Sequence, residues 1–302
     1  GRQSLWWGQG RNGALVLSNN AKPLDMLRLT TPSPVLLPWV FKHLGPFRFD
    51  VFWSELESAR AVPNPYIAGL RLNLRPLPWL EIGGSRAVMF GGEGRPDIDF
   101  SEFITILGGK NLEGGDDSSN SVAALDARLT LPFLYHAELY GELGGEDEAG
   151  AFIAKKAFLL GLYLPRLEPS GRLALRAEHA NLAYQGHGPV WYRHSQYRSG
   201  YTYEGKILGH QIGGDARSWY LEVSAFLTER LSAAVEVDYQ KRGYSQAETE
   251  DHLQPGLNLA WQASDNMRLI GRYAFDRVRN VGFVSGVDAT HHFTFLSLDY
   301  RL

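Results

Sequence analysis

A 302-residue chain with net charge −3 and a pI near 6.3 argues against a general nucleic-acid binder, and its zero cysteines exclude disulfides and cysteine-based metal sites. Mean hydropathy is −0.23, and no window approaches the roughly 18 to 20 unbroken apolar residues of a membrane helix, so a helical membrane protein is excluded. A membrane β-barrel is not, because its alternating strands average out on a hydropathy scale, and 12% aromatic residues with 33 glycines suit one.

The chain opens Gly1-Arg2-Gln3-Ser4 without an initiator Met or a signal-peptide pattern, so either a signal has been removed or an N-terminal portion is missing. Beyond it the recurring signal is period-2 alternation over about ten residues, broken by turn chemistry. Strands are predicted at 25–30, 47–57, 68–75, 80–90, 123–131, 135–143, 155–164, 171–181, 217–229, 231–239, 254–263, 267–278 and 291–302, with further candidates at 14–18 and 201–207. At 68–75 the apolar face is Ala68, Leu70, Leu72 and Leu74, and Gly69, Arg71, Asn73 and Arg75 oppose it. At 231–239 Leu231, Ala233, Val235, Val237 and Tyr239 oppose Ser232, Glu236 and Asp238. Connections alternate between short turns, such as Glu229-Arg230 and Ser264-Asp265-Asn266, and long loops at 108–120, 182–202, 241–253 and 279–290. That asymmetry is what outer-membrane barrels show.

One segment departs from the strand pattern. Asp99-Phe100-Ser101-Glu102 is a capping-box arrangement, followed by Phe100, Phe103, Ile104 and Leu107 at helical spacing and stopped by Gly108-Gly109. It predicts a short amphipathic helix over 98–107, packed as a plug in the lumen or on the barrel end.

The faces opposite the apolar stripes carry both signs of charge: Arg71, Arg75, Asp126, Arg128, Glu138, Glu142, Arg172, Arg176, Glu178, Glu222, Glu236, Asp238 and Arg272. Mixed signs fit a lumen crossed by ion pairs rather than an ion-selective pore. Trp39, Trp53, Trp79, Tyr135, Tyr163, Trp219, Tyr239 and Trp261 fall near strand ends, as interface girdles do. The last strand alternates Leu302, Tyr300, Leu298, Leu296 with an aromatic third from the end, which resembles the assembly signal of outer-membrane proteins, although Leu302 stands where Phe or Trp is usual. The expectation is an all-β fold: one antiparallel transmembrane β-barrel of about 14–18 strands spanning 1–302 as a single domain. Closure is required because an open edge in lipid leaves backbone groups unpaired.

Two stretches carry a family resemblance. Leu5-Trp6-Trp7-Gly8-Gln9-Gly10 with Leu15-Val16-Leu17-Ser18-Asn19-Asn20-Ala21-Lys22-Pro23 resembles the signature of the Wzi-type capsule-assembly proteins. Gly200-Tyr201-Thr202-Tyr203-Glu204-Gly205-Lys206-Ile207-Leu208-Gly209-His210, then Gly213-Gly214-Asp215-Ala216-Arg217, resembles a Tyr- and Gly-rich run of that family. The helix at 98–107 is also similar to a family element. The resemblance implies an outer-membrane barrel that attaches capsular polysaccharide as a lectin, neither enzyme nor secretion channel. Family members are longer, with more strands and a helical part before the first motif, so this chain is expected to lack an N-terminal portion.

A lectin site needs aromatic faces for sugar C–H surfaces and groups that bond hydroxyls, and Arg suits uronate carboxylates. The loop 187–203 supplies Trp191, Tyr192, Arg193, His194, Gln196, Tyr197, Arg198, Tyr201 and Tyr203. Of these, Trp191, Tyr192, Arg193, Tyr197, Arg198, Tyr201 and Tyr203 are the candidate glycan contacts. The competing interpretation is that they pack the loop on itself or plug the barrel. Asp116-Asp117 is better read as a solvated turn than a calcium site, and His291-His292 point to opposite faces of a strand. With neither HExxH nor GxSxG present, no catalytic, metal or cofactor residues are assigned. The expected partners are surface polysaccharide, outer-membrane lipid and the barrel-assembly machinery, with no nucleic acid, for a monomer in the bacterial outer membrane. The alternative is a passive porin, which stable conductance steps would reveal.

Overall fold

The structure, a computed structural model, describes residues 1–96, 99, 101, 102, 105, 119–146, 155–183 and 189–301. The early strands are β1 (Arg2–Gln3), β2 (Leu24–Thr30), β3 (Val35–Leu36), β4 (Pro46–Glu55), β5 (Tyr66–Leu77) and β6 (Leu80–Phe90). The middle strands are β7 (Ser119–Leu131), β8 (Ala137–Glu146), β9 (Ala157–Leu164) and β10 (Leu173–Asn181). After the short β11 (Thr202–Tyr203) and β12 (Lys206–Ile207) come β13 (Ala216–Phe226), β14 (Leu231–Arg242), β15 (Glu250–Ser264), β16 (Met267–Arg279) and β17 (Ala289–Tyr300). Strand neighbours follow chain order from β1 to β17, apart from β3, which pairs with β4, and β11–β12, which form a separate hairpin. The pairing is antiparallel, from Phe47↔Leu74 in β4–β5 to Met267↔Tyr300 in β16–β17. This is an up-and-down meander, in which local hairpins set the register.

The chain divides into two compact units. The first comprises Gly1–Leu129, Tyr140–Leu159 and Leu182–Asp215. In its strands polarity is inverted relative to a water-soluble protein. Arg71, Asp126 and Glu142 are buried, while Leu72 and Leu143 are exposed and Leu125 is 51% exposed. The space inside its strands is filled by the chain's own leading segment: Leu5, Trp7 and Ala14 to Leu17 are all buried. Trp7 packs edge-on against Phe52 at 5.2 Å and donates its indole N–H to Asp50 at 3.2 Å. Gly69 leaves room for both rings, since a Cβ there would lie 2.7 Å from each.

The second unit comprises Thr130–Leu139, Leu160–Asn181 and Ala216–Leu302. It shows the same inversion: Glu178, Glu236, Asp238 and Gln240 are buried, and Val235 is 57% exposed beside exposed Leu221, Leu257 and Leu259. Facing water, such stripes would forfeit roughly 25 cal/mol for every Å² of apolar surface left uncovered. An apolar solvent removes that penalty, which is the physical meaning of apolar-out, charged-in strands. Ion pairs and hydrogen bonds hold the polar face: Arg272 to Glu236 at 2.8 Å, Tyr220 Oη to Glu236 at 2.9 Å, and Ser218 Oγ to Asp238 at 3.1 Å.

Several expected boundaries shift. Tyr135 and His136 both take left-handed backbone (φ 52° and 64°), so they belong to the β7–β8 turn and not to the strand expected over 135–143, and His136 is exposed there. The loop expected over 241–253 shrinks, because β14 continues to Arg242 and β15 begins at Glu250. The candidate strand at 14–18 is a single bridge, Trp7↔Leu17, and that at 201–207 is the β11–β12 hairpin. The capping box at 99–102 forms as expected: Asp99 N–H donates to Glu102 at 2.9 Å and Glu102 N–H to Asp99 at 2.8 Å, with Ser101, Glu102 and Thr105 helical. Phe100, Phe103, Ile104, Leu107 and Asp116-Asp117 lie outside the described residues.

Candidate functional site

The loop between Pro189 and Asp215 belongs to the first unit and is fastened by polar groups of its strands and leading segment. Glu146, at the end of β8, accepts the Tyr192 N–H with both carboxylate oxygens, at 2.7 and 2.9 Å. The Tyr192 hydroxyl donates to Leu15 O at 2.7 Å and accepts the His210 N–H at 2.9 Å. Burial pushes this phenol well above its ordinary pKa, so it remains a donor across physiological pH. Trp191 Nε1 donates to Lys155 O at 2.7 Å, and Tyr197 Oη to Gly91 O at 3.0 Å. Arg60 clamps the far side, donating to Thr202 O at 2.9 Å and Gly200 O at 3.0 Å. Gly200 has φ 74°, and a Cβ there would sit 2.4 Å from Tyr192 O, so the close approach of these two strips requires glycine.

The aromatic rings are therefore mostly a foundation. Trp191, Tyr192, Tyr197 and Tyr201 are all buried, with Tyr192 and Tyr201 stacked at 5.8 Å. Of the residues put forward from the sequence, Trp191, Tyr192, Arg193 and Arg198 come together around one cleft of about 540 Å³, along with His194. Tyr197 and Tyr201 lie beneath, and half-buried Tyr203 sits on β11 away from the lining. Arg193 and Arg198 are exposed, and neither guanidinium has a hydrogen bond or ion pair among the described residues. His194 is fixed beside them, its Nδ1 accepting the Gln196 and Tyr197 N–H groups at 3.2 Å each. A cleft with two uncommitted guanidinium forks on a rigid aromatic base can bind hydroxyl-rich or anionic ligands at low entropic cost.

Sequence reasoning missed the two carboxylates on which this depends. Glu142 accepts the N–H groups of Gln9 (2.8 Å), Gly10 (3.0 Å) and Leu15 (2.8 Å), tying the leading segment to β8. Glu146 holds Tyr192 as above. Glu142 was placed on the inward face of the strand expected over 135–143, which stopped short of Glu146, and the backbone partners of both lie far away in sequence and leave no local signal.

The sequence profile of the capsule assembly protein Wzi family matches residues 1–293. A protein of 55.8 kDa from the cps region of Klebsiella pneumoniae is 33% identical over 168 residues, covering 54% of this chain and 33% of that protein. The shared region thus spans about a third of the relative's length. The solved Wzi of Escherichia coli, an outer membrane protein involved in group 1 capsule assembly and a carbohydrate-binding β-barrel, superposes with a TM-score of 0.84 at 22% identity. That superposition covers 100% of this chain and 67% of the Escherichia coli protein, and it establishes a shared β-barrel fold. With its profile match over nearly the whole length, the chain belongs to the Wzi capsule assembly family.

Proposed function

We propose that this protein is an outer-membrane barrel that binds and anchors capsular polysaccharide at the cell surface, acting as a lectin and not as an enzyme. The observation that carries this reading is the cleft at 191–214, where Arg193 and Arg198 stand exposed, without a side-chain partner among the described residues, over buried aromatic rings. Family membership, the fold shared with a carbohydrate-binding barrel, and the apolar exterior of the strands support it. The leading segment buried inside the first unit favours a lectin over a passive porin. Outer-membrane lipid covers the apolar stripes, and the barrel-assembly machinery inserts the chain as a monomer. The test is binding of purified capsular polysaccharide to the refolded protein. Arg193→Ala with Arg198→Ala is expected to weaken binding at least tenfold, about 1.4 kcal/mol, with no change in thermal stability. Undiminished binding by this double variant would remove the assigned cleft, and open-channel steps in a planar bilayer would restore the porin.

A further inference from the structure

The leading motif does more than fill space. Trp7 is core, but its neighbour Trp6 is 36% exposed and lines a second cleft of about 600 Å³. This cleft lies in the first unit at the turn end of β4, β5 and β6, beside the Leu77–Leu80 hairpin, whereas the 191–214 cleft lies at their loop end, where Tyr197 meets Gly91. Its lining carries four guanidiniums, Arg48, Arg71, Arg75 and Arg128, against one carboxylate, Glu81.

The guanidiniums have distinct roles. Arg71 is buried in a two-pronged pair with Asp126 at 2.7 and 2.9 Å. Asp126 also takes the Gln9 side-chain N–H at 2.6 Å, and Gln9 Oε1 accepts from Arg128 Nε at 2.8 Å, while Arg128 lies over the Tyr140 ring at 5.3 Å. These contacts fix a cationic floor. Arg75 and Arg48 are exposed at the rim: Arg75 donates to Pro78 O at 2.5 Å, and Arg48 has no side-chain partner among the described residues. With Arg71 neutralised by Asp126, the remaining charge still favours an anion. Trp6 gives its N–H to Gly10 O at 3.0 Å, so its ring offers a surface and not a donor.

We infer that this cleft is a second saccharide site, selective for carboxylate-bearing sugars, with Trp6 as the stacking surface and Arg48 and Arg75 as carboxylate forks. The inference rests on the polysaccharide-binding reading above, but it concerns different residues at the opposite end of the strands. A guanidinium pairs with a carboxylate through two parallel hydrogen bonds, and an aromatic face beside it separates a sugar acid from a bare anion.

The test is calorimetric titration of the refolded protein in detergent micelles with tetragalacturonate, using maltotetraose as the neutral control and inorganic phosphate as competitor. Wild-type protein is expected to show two sites. Arg48→Ala with Arg75→Ala removes one of them or weakens it at least tenfold, while Arg193→Ala with Arg198→Ala leaves that site intact. Trp6→Ala weakens it several-fold. Both rim arginines are exposed, so their removal leaves the folded gel mobility unchanged. A single site abolished by the Arg193/Arg198 variant alone would overturn this inference and leave the proposed function standing. No uronate binding to any form would overturn both. Displacement by phosphate at the concentration of the uronate would mark a bare anion site and overturn the saccharide assignment.

Discussion

The two units solve the same problem with different interiors. Both place apolar side chains outward and charges inward, yet an ion pair sealed from water at both partners is found in the first. Its Arg71–Asp126 pair is 9% and 1% exposed, against 50% and 11% for Arg272–Glu236 in the second. The reason is the leading segment and the 189–215 loop, which occupy the first unit and exclude water from its polar face. Both candidate clefts lie in that filled unit. Binding geometry is built where the chain packs against itself, while the second unit is a plain ladder of hairpins.

The contrast can be broken experimentally. Its largest expected consequence is at Glu142. Replacing it with Leu strands three backbone N–H groups, each worth about 1–3 kcal/mol when buried without a partner, so the loss should reach at least about 3 kcal/mol. Urea unfolding of the refolded protein, followed by gel mobility, would read it; an unchanged midpoint would show that the leading segment is not held there.

Next comes a matched pair. Asp126→Leu leaves Arg71 charged and buried, at a cost of about 3–5 kcal/mol. Glu236→Leu leaves Arg272 half in solvent, so about 1–2 kcal/mol is expected. Equal losses in the two units would erase the distinction between filled and open interiors.

The smallest effect lies in the second unit's β9–β10 turn. The Ser170 hydroxyl, with the N–H groups of Ser170, Arg172 and Leu173, lowers the Glu168 carboxyl from 4.5 to about 2. Its folded value is below its unfolded one, so its contribution is complete above about pH 4.5 and disappears as the pH falls through about 2. Protection of the Arg172 amide, taken relative to its intrinsic exchange rate at each pH, should be lost in that window, and Glu168→Ala should abolish the pH dependence of that protection while leaving global unfolding unchanged.

The strands were legible because alternation is local. The expected 80–90 coincides with Leu80–Phe90, and 267–278 falls one residue short of Met267–Arg279. The apolar-out reading was legible for the same reason. Turn positions were harder: Tyr135-His136 carries neither Gly nor Asn, the strongest guides to left-handed backbone, and the apolar alternation that continues through Ala137 and Leu139 masks the turn. The candidate cleft was half legible. The dense run of Trp, Tyr and Arg marked the loop, but residue type could not say that Trp191 and Tyr201 face inward while Arg193 and Arg198 face out. That division is imposed by Glu146, Leu15 and Gly91, all remote in sequence.

The grip of Glu142 on Gln9 spans 133 positions, and Tyr192 reaches Leu15 across 177. The leading segment is thus secured in part by groups that lie far along the sequence, in addition to its nearer partners Asp50 and Phe52. Loop-closure entropy makes such long-separation contacts slow. Residues 9–15 should therefore be the last part of this segment to lock, open to protease before the hairpins zip and resistant afterwards.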